Sequence, residues 1–174
     1  MTRAHVSELV PLAHQLSAHE FQRRLGGPLL AGPPLEPGVE EEGAATIATT
    51  IGVQPGLREP VDLASHEYFV LKKARPALFG RGVTMGRSSK SDVVISSDSI
   101  SKLHARVRLD KSGLVYVSDL GSSNGTQVNG AFVNPGEEVE LQHRDEIILG
   151  TRQLRFYDAA LLHSVLSKMV PTLS

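Results

Sequence analysis

Cysteine is absent from all 174 residues. That removes disulfides, zinc–thiolate sites and cysteine nucleophiles from consideration. It says little about compartment, since a protein inside a cell needs none of these and many secreted proteins lack them too. Charge of one sign is also missing: the formal net charge is −1. There is therefore no global basic field to hold nucleic acid, and a nucleic-acid partner is not expected. No run of eighteen apolar residues exists, so no membrane-spanning helix is expected. The first sixteen residues carry a single Arg and are interrupted by Ser7, Glu8, Pro11 and His14. They lack the unbroken apolar stretch of a signal peptide, and the expectation is a soluble cytoplasmic protein. With 40% hydrophobic residues, the length suffices for one well-buried core and an additional arm or tail.

Four zones divide the chain. In residues 1–27, Leu9, Leu12, Ala13, Leu16, Phe21 and Leu25 recur at roughly helical spacing. Ser17 and Glu20 match a capping box, so two short helices fit as well as one, and Pro11 suits a first turn or a break. Residues 28–60 are punctuated by Pro and Gly and read as a linker holding the acidic run Glu40–Glu42 and a threonine cluster, Thr46, Thr49 and Thr50. Residues 61–158 read as β throughout, with short alternating runs separated by turn residues. Asn129-Gly130 is a two-residue hairpin signal. Many short strands with no long helix between them indicate an all-β antiparallel sandwich or barrel. Residues 159–174 carry apolar side chains at 161, 162, 165, 166 and 169, an amphipathic helix with Asp158 as its N-cap.

The chemistry gathers in four short stretches: Gly86-Arg87, Ser91–Ile95, Ser101–His104, and Asp119–Thr126 continuing to Gly130. Most of these residues fall at strand ends and turns, which a sandwich collects at its two poles. An Arg fork, a Lys ammonium, Ser hydroxyls, an Asn amide and turn amides are nearly all donors. Their natural guest is a phosphate ester on a peptide, with its three acceptor oxygens and a charge of about −1.5 to −2.

The ordered set GR…SxSDVVI…SxxHA…DLGSSNGTxVNG…LxxxDxIxLG resembles a forkhead-associated (FHA) domain of bacterial type with an N-terminal extension. The resemblance covers roughly residues 68–158. It implies an FHA-type antiparallel β-sandwich of eleven strands that binds phosphothreonine peptides at one pole, a mode of recognition built on phosphate-directed donors. By that resemblance Arg87 and Ser101 are the main phosphate contacts, and Lys102 and Ser123 assist them. Asn124 holds the peptide backbone, and His104 braces the binding loop without touching the ligand. Gly86, Gly125 and Gly130 shape the backbone, with Asn129 supporting the loops. Arg144 stands where the family usually has Gly, which leaves the shape of that turn open. Ser99 stands where some members carry an Arg that selects an acidic residue three positions after the phosphothreonine, so that preference is not implied here. The first sixty residues have no counterpart in the family's domain.

Other chemistries find no support in the pattern. Ser101 and His104 are not set in a Gly-x-Ser-x-Gly elbow. Gly121–Gly125 lacks the Gly-Lys-Ser/Thr of a nucleotide loop, and Gly80…Gly86 lacks the dinucleotide spacing. His19-Glu20 and His66-Glu67 are not followed by a second zinc-binding His. No catalytic residue, metal site or cofactor is expected. Arg87 seen alone reads as a surface Arg pairing with Asp92 or Asp98. The two helical ends read as packing elements or as partner surfaces. The combined expectation is a non-catalytic phosphothreonine-peptide adaptor in Ser/Thr kinase signalling; a phospho-independent docking scaffold is the alternative. Thr46, Thr49 and Thr50 are candidate phosphorylation sites that could engage the domain's own pole, acting as an intramolecular lock.

Overall fold

A computed structural model describes residues 3–33, 66–74 and 82–169. Thr46, Thr49, Thr50 and most of the expected linker lie outside these residues. The elements run β1 (Arg3–His5), α1 (Val6–Gln15), α2 (Ala18–Leu25), β2 (Leu29–Gly32), β3 (Glu67–Val70), β4 (Val83–Gly86), β5 (Val93–Val94), β6 (Ala105–Leu109), β7 (Val115–Asp119), β8 (Thr126–Val128), β9 (Ala131–Phe132), β10 (Val139–Leu141), β11 (Glu146–Leu149), β12 (Arg152–Tyr157) and α3 (Ala159–Leu166).

Two sheets face each other. One has the order β1-β3-β2-β12-β11-β8-β9, the other β10-β7-β6-β4-β5. Between them lies a core that includes Leu30, Phe69, Met85, Val93, Ile95, Ile100, Val117, Ile147, Leu149 and Phe156. Alternation along the strands produces it. In β6, Ala105 and Val107 point inward while Arg106 and Arg108 point out, and in β11 Ile147 and Leu149 do the same against Glu146 and Ile148. Each fully buried Leu, Ile or Phe contributes about 1.5–3 kcal/mol relative to exposure.

A second core covers the outer face of the larger sheet. Leu29, Tyr68, Val70 and Tyr157 meet Leu9, Val10, Phe21, Leu162 and Leu166 from the three helices. Both helical ends are therefore packing elements. Ser17 caps α2 with the reciprocal Glu20 contact, and Asp158 caps α3 by accepting from the Ala160 and Leu161 amides. His163 ties α3 to the first helical pair through the Leu16 carbonyl at 2.9 Å and through its ring against Phe21.

Two expectations are corrected. Pro11 neither starts nor breaks a helix; it lies inside α1, which persists because Val6, Leu9, Val10 and Ala13 are buried on one face. The linker does not begin at Pro28. Leu29–Gly32 form β2, fully buried and inserted between β3 and β12, so the N-terminal segment is woven into the sandwich. The sandwich is antiparallel as expected, apart from β4 and β5, which run parallel with Met85 opposite Val93 and Gly86 opposite Val94.

Candidate functional site

Three loops meet at one pole, those following β4, β5 and β7. Their junction is built mainly from backbone. The Arg87 amide donates to the Ser101 carbonyl (3.1 Å) and the Ser88 amide to the Lys102 carbonyl (3.2 Å), a seam that only a residue without Cβ permits at position 86. A Cβ on Gly86 would stand 2.4 Å from the Lys102 carbonyl oxygen. From Ser101 the seam passes to the third loop: the Ser123 amide donates to Ser101 Oγ (3.0 Å). The Asn124 side-chain amide donates to the Ser99 carbonyl (2.8 Å). The β11–β12 turn closes the other side, with the Gly150 amide bonded to the Gly125 carbonyl (3.0 Å).

His104 sits beneath this junction with no exposed surface. The Ser101 amide donates to its Nδ1 (3.0 Å), so Nδ1 carries no proton, and Nε2–H donates to the Gly125 carbonyl (3.1 Å). The ring thus clamps two of the loops and must be neutral to do so. Burial drives its pKa below the ordinary imidazole value, against smaller opposing contributions from the Gly125 carbonyl and the Asp119 carboxylate.

Two buried carboxylates hold the loop bases. Asp119 accepts from the Gly121 and Ser122 amides, the Ser122 hydroxyl and the Thr126 hydroxyl, all within 2.6–2.8 Å. Asp92 accepts from the Thr84 amide and hydroxyl, the Ala74 amide and Lys73 Nζ. Burial alone would raise both carboxyls, but these donors outweigh it and hold each below the ordinary range. Both residues fall within the sequence motifs, and an Asp two residues before a Gly-Ser turn is the local signal for the role of Asp119.

Arg87 is exposed, and its guanidinium has no hydrogen bond or ion pair among the described residues. Asp92 is occupied with Thr84 and Lys73, and among the described residues Arg87 forms an ion pair with neither Asp92 nor Asp98. A shallow depression of about 290 Å³ is lined by Arg87, Ser96, Ser97 and Asp98. Lys102, Ser123 and Asn124 are likewise exposed around the junction, and Ser101 is half-buried. The pole therefore brings together Arg87, Ser101, Lys102, Ser123 and Asn124, with Gly86, His104 and Gly125 beneath them. Asn129 works further off. It links the β8–β9 turn to the turn before β11, donating to Asp145 (2.9 Å) and accepting from the Glu146 amide (3.0 Å). Arg144 adopts φ 75°, the left-handed conformation a glycine would take, so the turn keeps that shape without the glycine.

Residues 83–150 match the model of the FHA domain family. That stretch is an FHA domain. Among curated proteins it is 38% identical over 73 residues to an oxoglutarate dehydrogenase inhibitor of Corynebacterium efficiens, 42% of this chain and 49% of that one. It is 38% identical over 71 residues to the FHA domain-containing protein FhaB of Mycobacterium tuberculosis, 41% and 45% of the two chains. Protein FraH of Nostoc is 39% identical over 59 residues, 34% of this chain and 20% of FraH. The chain thus spans less than half the length of these relatives. The FHA domain of the CT664 protein of Chlamydia trachomatis aligns at TM-score 0.46 and 22% identity, over 76% of this chain and 98% of that domain. FHA domains are generally non-catalytic binding modules. No helix of the described residues is long and apolar enough to cross a membrane.

Proposed function

We propose that the chain is a cytoplasmic, non-catalytic adaptor that binds phosphothreonine peptides at the pole formed by Arg87, Ser101, Lys102, Ser123 and Asn124. The observation that carries the reading is the exposed Arg87 guanidinium, which makes no hydrogen bond or ion pair among the described residues, at a junction where Lys102, Ser123 and Asn124 are exposed beside it and Asp98 is the carboxylate lining the same depression. Cationic and hydroxyl donors converging on an open surface suit a dianionic ester with three acceptor oxygens. Arg87 would bridge two phosphate oxygens and Lys102 would add a point charge. The Ser101 and Ser123 hydroxyls would complete the shell, and Asn124 would exchange its bond to Ser99 for one to the peptide backbone. His104 and the two buried aspartates hold the loops before the ligand arrives, which lowers the ordering cost of binding. The chemistry requires only recognition: Ser101 Oγ already accepts from an amide, and the one buried imidazole is turned toward backbone.

The test is binding of the full chain to a degenerate phosphothreonine peptide library, with the unphosphorylated library and an Arg87→Ala protein as controls. Binding that needs both phosphate and Arg87 is expected, with dissociation constants in the micromolar range, about −8 kcal/mol. Equal binding of phosphorylated and unphosphorylated peptides would instead make the chain a phospho-independent docking scaffold.

A further inference from the structure

Phe132 is the most exposed large apolar side chain among the described residues, at 67% of its surface. It lies on β9, the strand that ends the larger sheet. Its ring leans on the loop that carries Ser123 and Asn124: a Cβ placed on Gly125 would stand 3.0 Å from Phe132 Cε1 and 3.2 Å from Cδ1. Gly125 is fixed in a left-handed conformation (φ 81°), and its carbonyl is held by both His104 and Gly150. The ring therefore rests beside a rigid point, one residue from Asn124. Cross-strand register continues the row inward from Phe132 to Gln127 and then to half-buried Ile148.

We propose that Phe132 is a specificity-determining residue of the phosphopeptide site, taking an apolar side chain that follows the phosphothreonine past Asn124. This rests on the phosphothreonine reading above. A peptide whose backbone is held at Asn124 leaves the donor-lined pole over the edge of Gly125. The first side-chain surface it meets there is an aromatic face without charge. An aliphatic or aromatic peptide residue would cover that face and shed water from both partners; a charged residue would lose hydration and find no partner. Leu109 is almost as exposed, at 59%, but lies at the far end of β6, beside the β6–β7 turn, so it serves as an internal control.

The experiment is a positional-scanning phosphothreonine library against the full chain in four forms: wild type, Phe132→Ala, Phe132→Gln and Leu109→Ala. Wild type and Leu109→Ala are expected to enrich apolar residues at one position near the phosphothreonine. Both Phe132 variants should lose that enrichment while keeping phosphate dependence. Affinity for the best apolar peptide should fall about five- to tenfold, the scale of a partly exposed apolar contact, and a peptide with Gly at that position should bind all four alike. Phe132→Leu should restore most of the loss. Phosphate-dependent binding with no apolar enrichment in wild type, or with enrichment unchanged in both Phe132 variants, would overturn the proposal. Loss of all phosphate-dependent binding in wild type would instead remove the phosphothreonine reading, and this inference with it.

Discussion

Replacing His104 by alanine removes the clamp beneath the binding pole while leaving every exposed donor in place. Two hydrogen bonds are lost. The Gly125 carbonyl keeps its second donor, the Gly150 amide, so it is not orphaned. The Ser101 amide has no second acceptor among the described residues and would be stranded in a half-buried loop, at about 1–3 kcal/mol. The imidazole is fully buried, so its removal also leaves a void, adding about 1 kcal/mol. The sum is a loss of about 2–4 kcal/mol, a fall in Tm of about 5–15 °C for a chain of this size. Urea unfolding of the two proteins measures it directly. The pH profile provides a second reading. The folded pKa of His104 is depressed, so between it and the unfolded value of about 6.5 the unfolded chain binds more protons. Stability is then full above about pH 6.5 and falls as pH drops toward the folded pKa, with a slope from this residue of at most about 1.4 kcal/mol per pH unit. His143, also depressed by burial, adds a slope of the same sign. In His104→Ala the slope should be visibly shallower. A loss below about 0.5 kcal/mol, or an unchanged pH profile, would refute the clamp.

The other predictions separate chemistry from scaffold. Arg87→Ala should weaken phosphopeptide binding at least about 30-fold, the scale of a lost charge-assisted pair, with unfolding unchanged because the side chain is exposed; fluorescence polarisation and a thermal melt read the two. Gly86→Ala forces a Cβ to within 2.4 Å of the Lys102 carbonyl and should cost about 1–3 kcal/mol while also weakening binding, since the seam that positions Ser101 must open. Arg144→Gly relieves a left-handed residue and should stabilise by about 0.5–1 kcal/mol in urea unfolding, net of the added chain entropy. If Thr46, Thr49 or Thr50 acts as a phosphorylated internal ligand, kinase-treated wild type should bind outside peptides more weakly than the Thr46/Thr49/Thr50→Ala triple variant. Equal binding would remove the lock.

Much of the sandwich was legible because its strands are half-buried and alternate, and because its turns carry residues with a specific backbone job. Asn129-Gly130 joins β8 to β9 as its dipeptide predicts, and Asn129 takes φ 50° there. Ser17 and Asp158 cap the helices that their positions suggested. β2 escaped for a physical reason. Its four residues are buried on both faces, so they show no alternation, and Pro28 and Pro33 bracket them like loop punctuation. Its partner β3 begins 38 residues after Leu29, a separation that no local pattern encodes. The parallel β4–β5 pair spans two residues and was too short to announce a direction.

The candidate site divides along the same line. Residues that would touch a ligand are exposed, polar and clustered in motifs, and the sequence exposes them to inspection. Residues that position them do so through distances: Asp119 draws four donors to one buried carboxylate, and Asp92 links three segments. Position along the chain does not encode such convergence; only the folded backbone creates it. Phe132 belongs to this second group. In the sequence it is one apolar residue of a hairpin strand. In the fold its facing neighbour across β8 is Gln127, it occupies the sheet's last strand, and its ring flanks the loop of Asn124. If the pole reads phosphothreonine as proposed, the clamp beneath it serves phosphate recognition, while Phe132, set at the rim by register, can bear on the residues beside the phosphate without touching that clamp.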